Sequence, residues 1–314
     1  MIKWQWAMAL WALSAVTVNA AEIPADKRIT AQIVQSGSAR ANDPMRFPTD
    51  VAVDRAGSIY VADGVNNRIA RFDRSGQFDG DLRQLGSETL SNPIDLCFDS
   101  SDRLWSADNG NHRVLVASNG FKIIRTINLP RSESPIDVTG VAISANGTRT
   151  LIIDNDHHRV LIRDNTNGTF TTAGGRGRSL GQLEWPFMVA ACSDGSFLIS
   201  EAIGAHVQRL DAKNRWTQSI SGWGVELGKS YRPKGIATDE KNRIYLSDST
   251  LGTVQVFGPR GETLGVLTDD EGRILRFEHP MGLCFDGRGR LLVVESRPGR
   301  VAVVELNATF RGES

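Results

Sequence analysis

Residues 48–63 read PTDVAVDRAGSIYVAD and show the unit from which most of this chain is built. After the opening proline comes an apolar triplet, Val51–Val53, and then a turn at Gly57. A second apolar run, Ile59–Val61, leads to Asp63. Runs this short, rich in β-branched and aromatic side chains, favour strands over helices. The unit therefore predicts two strands joined by a tight turn.

The unit recurs along the chain at nearly constant spacing. Its final acidic residue stands at six positions, 45, 46, 47, 47 and 47 residues apart: Asp63, Asp108, Asp154, Glu201, Asp248 and Glu295. We number these copies one to six. Five copies open with a proline and copy three with a valine: Pro48, Pro93, Val138, Pro186, Pro233 and Pro280. Every turn position holds a residue that tolerates the positive φ of a tight hairpin: Gly57, Asp102, Gly147, Gly195, Asn242 and Gly289.

A strand-only repeat of this length predicts the fold. A third apolar run follows in each copy, so each copy is predicted to form an antiparallel meander. One meander cannot bury both of its faces alone, and a repeat near 45 residues is typical of β-propellers, whose blades cover one another. The predicted fold is all-β: a six-bladed β-propeller of four-stranded antiparallel blades.

Copy six is one strand short. Only residues 307–314 follow its third run, Val301–Leu306. The segment Ile29–Val34, which alternates apolar and polar residues before copy one, can supply the missing outer strand. We therefore expect the N-terminal strand to close the ring, which would remove an exposed sheet edge.

The same residues resemble the NHL repeat. Copy one carries the pattern as residues 48–54, Gly57, residues 59–63, Asn66-Asn67-Arg68-Ile69 and Phe72. Gly174-Gly175-Arg176-Gly177 is similar to the connection between blades in that family. The resemblance covers roughly residues 43–306 and implies the propeller fold. It leaves function open, because this fold hosts enzymes, sensors and scaffolds alike.

The first twenty residues differ from the repeats. Lys3 precedes an apolar stretch, Ala7–Val18, and Val18-Asn19-Ala20 is an acceptable cleavage site, which predicts a secretory signal peptide over residues 1–20. The alternative is a single anchoring helix, although the run is short for a membrane span. We expect one propeller domain over residues 21–314, periplasmic or secreted, with no membrane span in the mature chain.

Composition limits the partners. Removing residues 1–20 takes one basic residue from 36 basic and 36 acidic, so the mature chain has 35 against 36 and a net charge of minus one. This balance argues against nucleic acid, whose binding depends on neutralising phosphates. The three cysteines, Cys97, Cys192 and Cys284, are widely spaced, and we expect buried fillers rather than a disulfide or a metal site.

The acidic residue of most copies has an arginine five positions later. The pairs are Asp63 and Arg68, Asp108 and Arg113, Asp154 and Arg159, and Glu295 and Arg300. Because the pattern recurs with the fold, we interpret these residues, with Glu201 and Asp248, as structural: the carboxylates would satisfy loop amides and guanidinium groups. Copies four and five depart from it, since His206 and Thr253 stand where the arginine is expected.

A propeller usually places its site where the first strands meet at the central channel. The residues there are one and two positions after each opening residue, and they include Phe187 and Lys234. At the second position the NHL pattern usually has glycine, whereas copies one and two have Asp50 and Asp95. This pair could hold a divalent cation, calcium or zinc, or a cationic ligand. Alternatively, each aspartate caps local backbone amides as an Asx turn.

The residues just before the prolines are predicted to form a rim around the channel: Phe47, Asn92, Trp185, Arg232 and His279. Aromatic and polar side chains together are typical of a ligand-binding or partner-binding rim, and they are also ordinary for loops.

Comparison with enzymatic propellers gives a function prediction. Peptide-amidating lyases of similar fold hold zinc with histidines that follow the proline, and none stands there in this chain. The densest histidine cluster, His157-His158, lies elsewhere, and adjacent residues usually point apart. We therefore expect a monomeric binding or scaffold module for a protein, peptide or glycan, with no cofactor. The alternative is a metal-dependent lyase or hydrolase working in the channel.

Overall fold

Strands are the main regular structure of the chain. The computed structural model describes residues 23–132, 134–307 and 310. In that part of the chain the helices are short 3-10 turns: Ala25–Lys27, Gly64–Asn66 and Asn109–Asn111. None of the helices described is long and apolar enough to cross a membrane. The predicted signal peptide, residues 1–20, lies outside the described residues.

The strands follow the sequence repeat. Strand β1 (Arg28–Ser38) precedes copy one, which holds β2 (Asp50–Val53), β3 (Ile59–Asp63), β4 (Arg68–Phe72) and β5 (Phe78–Leu82). A small hairpin, β6 (Gln84–Leu85) and β7 (Glu88–Thr89), leads to copy two with β8 (Pro93–Phe98), β9 (Leu104–Asp108), β10 (Arg113–Ala117) and β11 (Ile123–Ile127). Copy three holds β12 (Val138–Ile143), β13 (Arg149–Asp154), β14 (Arg159–Asp164) and β15 (Phe170–Gly174).

The second half continues in the same order. Copy four holds β16 (Pro186–Ala191), β17 (Phe197–Glu201), β18 (His206–Leu210) and β19 (Trp216–Ser221). Copy five holds β20 (Pro233–Thr238), β21 (Ile244–Asp248), β22 (Thr253–Phe257) and β23 (Thr263–Thr268), and copy six holds β24 (Pro280–Phe285), β25 (Leu291–Glu295) and β26 (Arg300–Leu306).

The predicted hairpins are confirmed by the backbone. All six turn positions have positive φ, from 55° at Asn242 to 89° at Gly57. In each of copies one to four the strands pair with their chain neighbours, for example β2 with β3 with β4 with β5, and every pair is antiparallel. Because glycine, asparagine and aspartate enter the left-handed region at modest cost, these short turns are compatible with the strands on either side.

The copies form a ring around the first strands. Each first strand contacts the first strand of the next copy, and β24 of copy six contacts β2 of copy one. Each pair of successive copies also shares a hydrophobic cluster. Tyr60 packs with Leu96 between copies one and two, and Val61 packs with Val294 between copies one and six. Each fully buried aliphatic side chain contributes about 1.5–3 kcal/mol, so every interface stabilises the ring.

The predicted all-β propeller arrangement is confirmed, and the N-terminal strand pairs with the last strand of copy six as predicted, but the sheets do not separate into six four-stranded units. The structure has four separate four-stranded sheets, in copies one to four, and one eight-stranded sheet that contains copies five and six. Strand β1 causes the difference because it pairs with strands of two copies. Residues 31–38 pair antiparallel with β26, while Arg28–Thr30 pair parallel with β23 of copy five. A bulge at Ile33–Gln35 interrupts the antiparallel part.

Candidate functional site

The acidic residues that end the second strands are buried and hydrogen-bonded. Each accepts a backbone N–H from the segment that precedes its own copy, namely from Arg46, Ser91, Asp137, Glu184, Tyr231 and Glu278 in order. In four copies an arginine Nε also donates to the carboxylate at 2.6–2.8 Å: Arg68 to Asp63, Arg113 to Asp108, Arg159 to Asp154 and Arg300 to Glu295. These carboxylates thus tie the entry loop of a copy to its third strand.

Copies four and five use a glutamine in place of the arginine. Gln208 Nε2 donates to Glu201 Oε1 at 2.7 Å and to the carbonyl of Gln182 at 2.6 Å. In copy five, Gln255 Nε2 donates to the carbonyl of Lys229 at 2.6 Å. Each glutamine therefore holds the loop that precedes its own copy.

Glu201 and Asp248, the acidic residues of copies four and five, have no guanidinium partner, and their surroundings differ. Burial raises the pKa of Glu201 to about 7, although the Glu184 amide and Gln208 act against the shift. Asp248 instead accepts four backbone N–H groups at 2.6–3.0 Å, from Tyr231, Arg232, Thr250 and Leu251. Both of its oxygens are therefore occupied.

Asp50 and Asp95 lie together beside the channel and bridge neighbouring copies. Each is 5% exposed. Asp50 Oδ2 accepts the N–H of Leu96 at 2.9 Å, and Asp95 Oδ2 accepts that of Val141 at 2.6 Å. Burial raises the pKa of Asp95 to about 6, and burial with the nearby Asp95 raises the pKa of Asp50 well above its ordinary range. Asp95 Oδ1 also accepts the N–H of Leu96 in its own copy at 3.1 Å, so the pair caps amides both within a copy and across to the next one.

Glycine at the same position serves the same close approach between copies. A Cβ at Gly282 would collide with the Asp50 side chain, and one at Gly235 would collide with the Met281 carbonyl. Neighbouring first strands therefore approach closely in two ways. Some copies have a glycine there, with no side chain in the way, whereas Asp50 and Asp95 accept a hydrogen bond from the neighbouring strand.

The described residues contain no group of three or more histidine, cysteine, aspartate or glutamate side chains that could hold a metal. Asp50 and Asp95 offer two carboxyl groups, and each already accepts an amide. The histidine pair is also engaged: His157 Nδ1 lies 2.7 Å from Asp154 Oδ1, and His158 Nδ1 accepts the N–H of Trp185 at 3.1 Å. Each of these carboxyl and imidazole groups therefore already has a hydrogen-bond partner.

The predicted rim residues lie around one end of the channel. Phe47, Asn92, Trp185 and His279 have positive φ between 46° and 59°. Such conformations are uncommon for residues with side chains and require support from the surrounding structure. Trp185 has that support, since its ring lies 5.0 Å from the ring of His158 in a T-shaped contact. Phe47 is 61% exposed, Trp185 is 39% exposed, and Arg232 and His279 are also exposed.

Phe187 and Lys234 occupy the centre of this end, which we call the mouth. Each follows the proline of its copy. Phe187 packs against the cluster that contains Met188 and against the cluster that contains Met281 of copy six. Its ring therefore reaches across the mouth. The Lys234 Nζ atom lies 3.8 Å from the centroid of that ring, in a cation–π contact.

Lys234 has no acidic partner within the described residues. Asp248 is the acidic group that favours its charge, and both Asp248 oxygens are bound by amides. Burial, together with the nearby Arg232, lowers the pKa of Lys234 to about 8. The mouth thus holds a half-buried ammonium group that is bonded to an aromatic face and to no anion.

Below the mouth the channel widens into a cavity of about 300 Å³. Its walls are mainly aliphatic and aromatic, with Asp50 and Asp95 among the polar groups. Cys97 and Cys284 also line it, and all three cysteines are free. The cavity is therefore an apolar space whose ionisable groups have pKa values shifted by burial.

Two aromatic residues on this face were missed by sequence reasoning, and a third was noted only by position. Trp223 is 71% exposed and its ring lies 6.0 Å from that of Tyr231. Phe187 stands at a position predicted to lie at the channel, but the sequence does not single it out from the other residues at that position. Trp223 lies in the loop before copy five, and the sequence alone does not show which face that loop covers.

Comparisons with known proteins agree with the fold. The NHL repeat family model matches residues 45–72 and 90–117, so the predicted resemblance is confirmed in copies one and two. A search of curated protein sequences finds no match.

Several solved structures have the same fold at low identity. A structure of streptogramin B lyase is 13% identical, with a TM-score of 0.63, and the match covers 87% of this chain and 98% of that one. Inactive virginiamycin B lyase from Staphylococcus aureus with quinupristin is 14% identical, with a TM-score of 0.63 and coverage of 87% and 99%. An auxiliary nutrient binding protein from Bacteroides thetaiotaomicron is 14% identical, with a TM-score of 0.64 and coverage of 86% and 72%.

Proposed function

Starting from a chain that carries NHL repeats in a propeller fold, we propose an exported binding or scaffold protein whose ligand is a protein, a peptide or a glycan. The ligand sits at the mouth. The single observation that carries this proposal is the Lys234 ammonium over the Phe187 ring, which lacks an acidic partner in the described part of the chain. A half-buried cation without an anion is costly unless a ligand completes it.

The rest of the mouth supports binding in the same place. Exposed aromatic side chains, Phe47 and Trp185, surround the centre, and Arg232 and His279 add polar groups. Convergent polar groups beside aromatic surface are typical of ligand sites, particularly where loops from many elements meet. The likeness to an auxiliary nutrient binding protein is compatible with a binding role, although it shows the fold alone.

The architecture and the setting of the protein belong to the same proposal. The eight-stranded sheet counts as two blades joined by β1, which makes six blades in a single domain over residues 21–314. The domain works as a monomer in the periplasm or outside the cell, with no nucleic-acid partner. The signal peptide predicted at residues 1–20 is the reason for this location.

An array experiment tests the binding role. The mature protein is applied to immobilised oligosaccharides and peptides, next to a Trp185→Ala, Phe187→Ala variant. Ile124→Ala is the matched control, because Ile124 is 50% exposed on the outer strand β11. We expect specific binding that the mouth variant loses and the control retains. Binding that survives the mouth variant would place the site elsewhere, and no binding to any probe would argue against the proposal.

The alternative is a metal-dependent lyase or hydrolase that works in the channel. The observations that favour it are the fold shared with streptogramin B lyase and the buried pair Asp50 and Asp95. Metal analysis of the purified protein tests it, followed by calorimetry on Asp50→Asn, Asp95→Asn. Stoichiometric calcium or zinc that the double variant loses would support the enzyme. A metal-free protein would leave the binding role.

A further inference from the structure

The face that carries the mouth holds several cations without anionic partners. In the described part of the chain, Lys234, Arg232 and Arg297 form no salt bridge. Glu184, in the loop before copy four, forms a salt bridge with Arg178 at 2.8 Å. Asp248 is occupied by amides, as described above.

The histidines of this face show the same positive field. The pKa of His279 is lowered by burial and by nearby Lys234 and Arg297. The pKa of His206 is lowered by burial and by Lys229 and Arg178. Glu184 opposes the pKa shift of His206, and Asp248 opposes that of Lys234. Cations that have no anionic partner beside a cleft attract ligands of the opposite sign. The geometry of unpaired cations therefore indicates an anionic ligand.

Aromatic side chains continue outward from the centre. Residues 231–234 are consecutive and lead from Tyr231 to Lys234 at the mouth. Tyr231 in turn contacts Trp223, the most exposed of the described aromatic residues at 71%. This path gives stacking surfaces both at the centre and outside it, so it suits an extended ligand with several rings.

A peptide main chain is a poor fit to the mouth. The first strands could bind a peptide only through free backbone groups. Their amides near the mouth are already bonded: Leu96 to Asp50, Val141 to Asp95, Met188 to Ser200, Gly235 to Ser247 and Gly282 to the Thr49 carbonyl. A sugar needs no such edge, because aromatic faces hold its C–H surface and polar side chains hold its hydroxyl groups.

We infer that the mouth binds an acidic oligosaccharide, with a carboxylate on Lys234 and sugar rings on Phe187 and on the Trp223–Tyr231 pair. This inference rests on the proposed function and names its ligand class. Arg232 and His279 lie beside Lys234 and can donate to the sugar hydroxyl groups. No reaction is part of the inference.

Calorimetry with a matched pair of sugars tests it. Trigalacturonate carries three carboxylates, and its trimethyl ester is the uncharged counterpart. We expect the acid to bind the mature protein and the ester to bind roughly tenfold more weakly or worse, because a charge-assisted bond is lost. Lys234→Met should weaken binding of the acid by a similar factor and leave binding of the ester unchanged. Lys213→Met is the control, since Lys213 is exposed in the turn between β18 and β19.

A pH series gives a second readout. The pKa of Lys234, about 8, means that its charge is lost as the pH rises from 7 to 9. Arg232, His279 and Asp248 also face Lys234: the pKa of His279 is lowered, so it is neutral over this range, and Asp248 remains held by its amides. Binding of trigalacturonate should therefore weaken over this interval in the wild type and change little in Lys234→Met.

The outcomes separate this inference from the proposed function. The inference of an acidic ligand would be overturned if the acid and the ester bound equally well. It would also be overturned if Lys234→Met did not weaken binding of the acid. Tighter binding of hexaglutamate or of a short single-stranded DNA would also overturn it, in favour of a peptide or a nucleic acid. If the array shows mouth-dependent binding while trigalacturonate fails to bind, the binding role stands and the acidic sugar is wrong.

Discussion

Copies one, two, three and six differ from copies four and five in the side chain that holds the entry loop beside the recurrent acidic residue. In the first group an arginine binds the acidic residue at 2.6–2.8 Å, and strand and entry loop are locked together. In the second group Gln208 and Gln255 hold the entry loops through their carbonyls. The second group also contains Phe187, Lys234 and Trp223, which form the proposed site.

The difference shows where a repeat protein can change without losing its fold. The arginine joins the third strand to the acidic residue through an ion pair. A glutamine is shorter and neutral, and in copies four and five it holds the preceding loop through a carbonyl instead. The cations of these copies then have no carboxylate of the repeat left to pair with.

The largest effect is expected from breaking an arginine pair. Asp63→Ala leaves Arg68, whose side chain is 1% exposed, without its buried partner. We expect a loss of about 3–5 kcal/mol in the free energy of unfolding, since an uncompensated buried charge is costly. Asp43 and Asp81 also contact Arg68, and because they still compensate part of its charge the loss can lie at the lower end of this range. Urea denaturation measures the change.

The double variant Asp63→Ala, Arg68→Met is its control. Removing both charges should recover part of the lost stability, whereas sugar and peptide binding at the mouth should be equal in the folded single and double variants. A single variant as stable as the wild type would mean that the recurrent pair is not structural, and the comparison between the two groups would fail.

A smaller effect, dependent on pH, is expected in copy four. The pKa of Glu201 is about 7 in the folded protein, above its unfolded value of about 4.3. Between these values the folded state holds a proton that the unfolded state has released, so stability falls as the pH rises. The loss amounts to about 2–3 kcal/mol by neutral pH and above. Glu201→Gln should remove this slope, as measured by denaturation from pH 4 to pH 8.

Glu295→Gln in copy six is the matched control, because Glu295 has Arg300 at 2.6 Å. Because Glu201 is still present, stability of the Glu295→Gln variant should fall with rising pH as it does in the wild type. The variant should also be less stable than the wild type at every pH. If Glu201→Gln had the same pH profile as the wild type, the missing arginine would have no electrostatic consequence.

The smallest effect is expected at the vacant arginine position of copy five. Thr253 is 3% exposed, and its Oγ1 has no hydrogen-bond partner within the described residues. Thr253→Val keeps the shape and removes the unsatisfied hydroxyl, so stability should stay the same or rise by about 1 kcal/mol. Thermal unfolding checks this. A clear loss of stability would show that the hydroxyl has a partner, such as a bound water.

Much of the fold could be predicted because it depends on local chemistry repeated six times. Residues such as Gly57 and Asn242 permit positive φ, and the short apolar runs beside them form strands. The rim residues could also be placed, since each precedes a proline. The pairing of β1 with β23 could not, because nothing in the residues 28–30 distinguishes a strand that stops at copy six from one that reaches copy five.

The sequence by itself determined the repeat, the all-β meanders and the ring, since spacing and turn residues are properties of the chain. The tertiary structure alone decided which charged groups keep a partner. Asp50 and Asp95 look like a cation site in the sequence, yet folding brings the amides of Leu96 and Val141 to them. Lys234 is one of several residues that the sequence predicts at the channel, and folding places it over Phe187 beside an Asp248 already bound by four amides. Burial and competition for partners arise between copies, so the order of residues does not show them.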